Sequence, residues 1–120
     1  ETGLMEQGEL DEAIALTQTA TQRAPEVALG WYNLGLMLRR SGDIAAALEA
    51  YSRAVELDPN NAACHQNRAV ALLRGGDIEG SRAAFRTAIT LLETQGRPVD
   101  AQALRTKAQG IVKLDLEPIA

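Results

Sequence analysis

The sequence predicts an all-α fold made of antiparallel helix pairs repeated along one chain. Three observations predict it. Small, large and turn residues recur together at a spacing of 34 residues. Aromatic content is 3%, so a core whose only rings are Trp31, Tyr32, Tyr51 and Phe85 must be built from Ala, Leu, Val and Ile. The 120 residues are 46% apolar and 23% charged, the balance of one globular domain rather than a disordered chain.

The repeat register is set by Gly42-Asp43-Ile44 and Gly76-Asp77-Ile78, with a related Gly8-Glu9-Leu10 one interval earlier. Ala13, Ala47 and Ser81 keep the interval, as do Thr17, Tyr51 and Phe85, then Ala20, Ala54 and Ala88. Pro25 and Pro59 also lie 34 apart, with Glu93 in third place. Self-similarity at this period marks repeat architectures, in which each unit covers its apolar face with a neighbour.

In chain order, helices are expected over residues 11–23, 28–40, 44–57, 62–74 and 78–94. Residues 2–7 are expected to form only a final turn or two of a separate helix, parted from 11–23 by Gly8-Glu9-Leu10, since so short a helix is unstable alone. The apolar face of helix 11–23 (Ile14, Leu16, Ala20) is then partly uncovered. Ile44, Ala47, Leu48, Tyr51 and Val55 show the helical period. Gly42 and Gly76 follow a last turn, where a left-handed residue reverses the chain. Asp43 and Asp77 cap the next helix. Pro25 and Pro59 end the preceding one, and Asp58-Pro59-Asn60-Asn61 is a loop by composition. In the third copy His65, Arg68, Ala69 and Ser81 stand where the second has Trp31, Leu34, Gly35 and Ala47, which predicts looser packing, with the stem of Arg68 lying over the core. Beyond Gly96-Arg97-Pro98, the spacing of Val99, Ala103, Leu104, Ala108, Ile111 and Val112 predicts a terminal helix, apolar inward and polar outward, of the kind that closes a repeat array. Residues 114–120 are expected to be extended or disordered.

The middle copy, Trp31-x-x-Leu34-Gly35-x-x-Leu38 followed by Gly42, Ala47, Tyr51, Ala54 and Pro59, resembles the tetratricopeptide repeat. Leu38 replaces that family's Tyr and Tyr51 its Phe; both keep bulk at packing positions. The resemblance covers roughly residues 1–94. It implies a right-handed superhelical array of helix pairs, with the first helix of each pair (helix A) on the concave side. The expected layout is a single domain over 1–120, with a truncated repeat 1–27, repeats 28–61 and 62–95, a capping helix 98–113 and a tail 114–120.

Composition narrows the function classes. Net charge is −4 with a pI near 5.0, which argues against nucleic-acid binding. The acidic excess sits in residues 1–26, which hold six carboxylates against Arg23 alone. No apolar run approaches membrane-span length, and the N-terminus has no signal-peptide character. The chain starts at Glu1 rather than Met and reads as a fragment, cytoplasmic or organellar, whose upstream region is unknown. The single cysteine, Cys64, and single histidine, His65, are adjacent in a helix and point apart, so they read as packing residues. Gly75-Gly76 is a helix end without the Lys-Ser/Thr of a phosphate loop, and Asp11-Glu12 lacks calcium-ligand spacing. No catalytic residue, cofactor or metal ligand is assigned, and a non-enzymatic protein is expected.

The resemblance implies that peptide contacts come from helix A: Leu29, Tyr32, Asn33, Leu36, Arg39 and Arg40, then Ala63, Gln66, Asn67, Val70, Leu73 and Arg74, with Thr2, Met5 and Glu6 from the first copy. Asn33 and Asn67 hold one register position, and an amide there can both donate to and accept from an extended backbone. Arg40 and Arg74 form either a basic edge for carboxylates or a simple complement to the helix dipole. A related subfamily clamps the acidic C-termini of heat-shock chaperones with a set of Lys, Asn and Arg. Here Asn33 matches it, but Thr2, Ala63 and Asn67 do not, so that clamp is excluded. The expected function is a scaffold that binds a partner peptide or helix in the groove for complex assembly. The alternatives are self-association through residues 1–23, or a targeting module of a larger enzyme.

Overall fold

The computed structural model describes residues 2–113. Six helices run in order: α1 (Thr2–Arg23), α2 (Ala28–Ser41), α3 (Ile44–Leu57), α4 (Ala62–Arg74), α5 (Ile78–Thr94) and α6 (Pro98–Val112). There is no strand among the described residues. From α2 onward the helices match those expected from sequence to within a residue at each end. The expected tail over 114–120 lies outside the described residues. The chain divides at Pro59/Asn60 into two compact units. In the first, α2 packs against α3 and α1; in the second, α5 packs against α4 and α6.

The turns show why the chain reverses where it does. Gly42 (φ 92°) and Gly76 (φ 89°) take the left-handed conformation that side chains resist. The N–H after each glycine then reaches back into the helix just ended: Asp43 to the Leu38 carbonyl (3.0 Å) and Asp77 to that of Leu72 (2.9 Å). The same two aspartates start the next helix. Asp43 accepts from the Ala46 N–H at 3.2 Å, and Asp77 from the Gly80 N–H at 2.8 Å. A third cap, not anticipated within its polar loop, is Asn61, which accepts from the Cys64 N–H at 3.2 Å. Pro98 opens α6 as expected.

Each unit is centred on a close helix crossing. In the first, Gly35 faces the wholly buried Tyr51, and a Cβ at Gly35 would lie 2.7 Å from two of the ring carbons. Leu34, Leu38, Ala47, Ala50 and Ala54 close around this contact. In the second, Ala69 and Phe85 take those places. The Ser81 hydroxyl, itself wholly buried, donates to the Ala69 carbonyl at 2.7 Å across the crossing. Ser81 therefore does not loosen this crossing, while Arg68 is half-buried where the second copy has the buried Leu34. A serine is only slightly larger than the alanine it replaces, and its one polar group is satisfied.

A second expectation is corrected at α1. It is one uninterrupted helix from Thr2 to Arg23, with no turn at Gly8-Glu9-Leu10. The cause is local. Glu9 stands where the two working turns carry aspartate, and glutamate is a good helix former but not a preferred cap. Gly8 stays within the helix, with open space where a Cβ would be. The uncovered face was correctly anticipated: Leu16 is 66% exposed and Met5, upstream, 68%.

The last helix buries Ala101, Leu104, Ala108 and Val112 and leaves Gln102, Thr106 and Gln109 exposed. Arg82 of α5 holds its end, with Nε donating to the Val112 carbonyl at 2.9 Å. A cation there also complements the C-terminal end of the helix dipole.

Two glycine-to-alanine changes should have opposite effects in urea denaturation followed by circular dichroism. G35A drives a methyl group into a ring that has no room to move, and should cost about 1–3 kcal/mol. G80A meets only the carboxylate end of Asp77, and Ala46 already occupies the equivalent place beside Asp43. It should be neutral or stabilise by up to about 1 kcal/mol through helix propensity. A G35A protein as stable as wild type would refute the close-crossing account.

Candidate functional site

In the first unit the expected contact residues lie along α2. Leu29, Asn33, Leu36 and Arg40 are spaced so as to share one helix face, with Tyr32 beside them. Leu29 is 63% exposed, Arg40 is exposed, and Tyr32, Asn33 and Leu36 are half-buried. The Tyr32 ring is held edge-on to Tyr51, with centroids 6.2 Å apart at 61°, so the crossing that builds the unit also fixes this surface ring. Asn33 makes no side-chain hydrogen bond among the described residues. Arg40 turns toward α1: with Met37 it lines a groove of about 430 Å³ against Glu6, Glu9, Leu10 and Ala13. Of the first-copy residues, Met5 and Glu6 are exposed on α1, and the Thr2 side chain lies outside those described.

In the second unit Gln66, Asn67 and Val70 of α4 are half-buried and Arg74 is exposed. The two asparagines are not in the same state. Asn67 Nδ2 donates to the Ala63 carbonyl one turn back, at 2.8 Å, which ties its amide to its own helix. Cys64 is buried, as expected of a packing residue, and His65 is half-buried.

A further feature of the second unit was not anticipated. Ala62, Ala63 and Gln66 of α4, Leu92 of α5, the connecting Arg97, and Asp100, Ala103, Leu104 and Lys107 of α6 line a cavity of about 280 Å³. The signal was present in the sequence. Asp100, Ala103 and Lys107 follow Gln66, Ala69 and Leu73 at the repeat interval, so α6 carries the helix A register one step beyond the third copy.

On the opposite side of the first pair, Trp31 is anchored by its indole N–H to the Pro25 carbonyl at 2.8 Å. The Arg53 guanidinium lies 5.6 Å from the ring centre and also reaches Glu56 at 3.3 Å. With Leu48, Glu49 and Ser52 these residues line a shallow groove. Among the described residues no group of three or more His, Cys, Asp or Glu side chains is placed to hold a metal ion. No helix among them is long and apolar enough to cross a membrane.

A search of curated proteins finds no match. Solved structures do match. A structure of PcrH in complex with the chaperone-binding region of PopD has 23% identity and a TM-score of 0.75, over 93% of this chain and 82% of that one. The type III secretion translocator chaperone SycD of Yersinia enterocolitica has 16% identity and a TM-score of 0.69, over 90% and 80%. The tetratricopeptide-repeat domain of Sgt2 from Aspergillus fumigatus has 20% identity and a TM-score of 0.68, over 99% and 80%. These likenesses establish the all-α helical-repeat fold. The model of the tetratricopeptide repeat family matches the sequence twice in overlapping registers, over residues 2–62 and 38–98. Together with the Gly-Asp turns and the small-residue crossings, these matches show that the chain belongs to the tetratricopeptide repeat family.

Proposed function

We propose that this protein is a non-enzymatic scaffold that holds an extended segment or helix of a partner protein against the exposed face of α2 in the first unit, with α4 offering a face of its own in the second. The observation that carries the reading is the surface of α2. Leu29 is 63% exposed, next to Tyr32 and Leu36, and Asn33 has an amide not spent on other side chains or backbone among the described residues. An apolar contact beside an available amide suits a peptide: the side chain takes the apolar ground and the backbone takes the amide. Two similar solved structures hold partner segments, PcrH with the chaperone-binding region of PopD and SycD with a peptide of YopD. That likeness supports the reading by analogy of fold, and the site chemistry makes it specific to this chain.

A second reading has its own observation. Met5 and Leu16 are each about two-thirds exposed and, eleven positions apart, lie on one side of α1. A second copy of the chain is the occupant that reading requires.

The scaffold reading is tested by affinity capture from the source organism with mass-spectrometric readout, comparing wild type with Y32A/N33A/N67A after circular dichroism shows equal helicity. Partners recovered by wild type should be lost from the variant; retention of the same set would overturn the reading. Self-association is tested by light scattering across a concentration series. A mass that rises for wild type and stays monomeric for M5E/L16E is expected on that reading, and a monomer throughout would dismiss it.

A further inference from the structure

We propose that the cavity between α4, α5 and α6 is a side-chain pocket for an acidic peptide. It takes one aliphatic side chain, and Lys107 pairs with a carboxylate next to that side chain. This rests on the scaffold reading and adds to it a second binding element and a charge preference.

At about 280 Å³ and open to solvent, the cavity has room for one aliphatic side chain of a longer ligand. Its base is apolar, formed by the buried Ala62, Leu92 and Leu104. The space exists because two walls are alanines, Ala63 on α4 and Ala103 on α6. Those two are exposed, so a ligand side chain reaches the base without displacing a protein group.

Charge gives the second half. Four polar residues border the cavity: Gln66, Arg97, Asp100 and Lys107. Arg97 and Asp100 neutralise each other through an ion pair at 2.9 Å. The neighbouring Arg105 is likewise occupied, by Glu93 at 3.0 Å. Lys107 has no ion-pair partner among the described residues. Among the described residues the rim therefore carries one positive charge outside any ion pair. A flexible ammonium with three donors can follow a carboxylate held at its stem's length. Gln66 adds an amide able to pair with a peptide unit in either sense. Register explains why a capping helix carries such a residue. Lys107 holds the position of Arg39 and Leu73 in helices α2 and α4, so α6 is the second wall of a groove as well as a lid.

The test is a titration of isotope-labelled protein, read by amide chemical shifts, with three capped pentapeptides: Gly-Glu-Leu-Glu-Gly, Gly-Lys-Leu-Lys-Gly and Gly-Glu-Gly-Glu-Gly. The first should move the amides of Ala63, Gln66, Ala103 and Lys107. It should bind about threefold to fivefold tighter than the lysine analogue, the range of one exposed ion pair, and the preference should weaken with salt. K107E should reverse the charge preference. A103L fills the pocket at an exposed position, so the fold is retained, and should abolish the response to leucine. Absent or scattered shifts, or a preference unchanged in K107E, would overturn the proposal. Partner capture separates this proposal from the reading beneath it. If Y32A/N33A/N67A loses the partners and A103L/K107E keeps them all, the pocket falls and the scaffold stands. If neither variant loses them, both fall.

Discussion

Everything in this fold depends on how closely two helices can cross. At Gly35 there is no side chain, and the buried Tyr51 ring occupies the space where one would be. In the second unit Ala69 and Ser81 allow a similar approach, and the hydroxyl of Ser81 is absorbed by a carbonyl of the facing helix. A short interaxial distance lets Ala, Leu and a single ring per crossing fill the core, which is how a chain with four aromatic residues builds one. The crossing also has a functional consequence. It spends the inner face of each helix pair entirely on packing, and the outward faces of α2 and α4 remain for other contacts. Tyr32 lies on both sides of this division, packed against the Tyr51 ring and only half-buried.

The turns impose the second constraint. A left-handed glycine followed by a capping aspartate satisfies the carbonyls of one helix and the N–H groups of the next within a few residues. Where that chemistry fails the architecture changes. At Gly8-Glu9 the cap is absent, the helix continues, and α1 becomes a 22-residue rod with apolar side chains in solvent. One side-chain carbon separates glutamate from aspartate, and here it coincides with the difference between a hairpin and a straight helix.

Much of this was legible in the sequence because the repeat fixes register. Once Gly42 and Gly76 are aligned, each packing and capping position follows, and five of the six helices are placed closely. What was missed lies where a residue's role depends on its neighbours rather than its own register. Asn61 reads as loop by composition, and only the backbone shows it capping α4. Asn33 and Asn67 are equivalent in register, yet Asn67 is tied to Ala63 while Asn33 is not. Arg40 reads in sequence either as part of a basic edge or as a complement to the helix dipole, and register does not show that it lines a groove with Glu6 and Glu9. A capping helix is legible in sequence by its buried face, whereas Ala103 and Lys107, which line the cavity of the second unit, sit on its exposed one.

The central claim is that partners meet α2 in the first unit and α4 in the second, each on its own exposed face, rather than α3 and α5. Site-specific photo-crosslinking tests it most directly. A benzophenone side chain is placed in turn at Leu29 and Ala63, then at Arg53 and Arg86, all exposed positions, and adducts are resolved after irradiation in cells of the source organism. The account predicts the same partner adducts from Leu29 and Ala63 and none from Arg53 or Arg86. Adducts confined to Arg53 and Arg86 would contradict it.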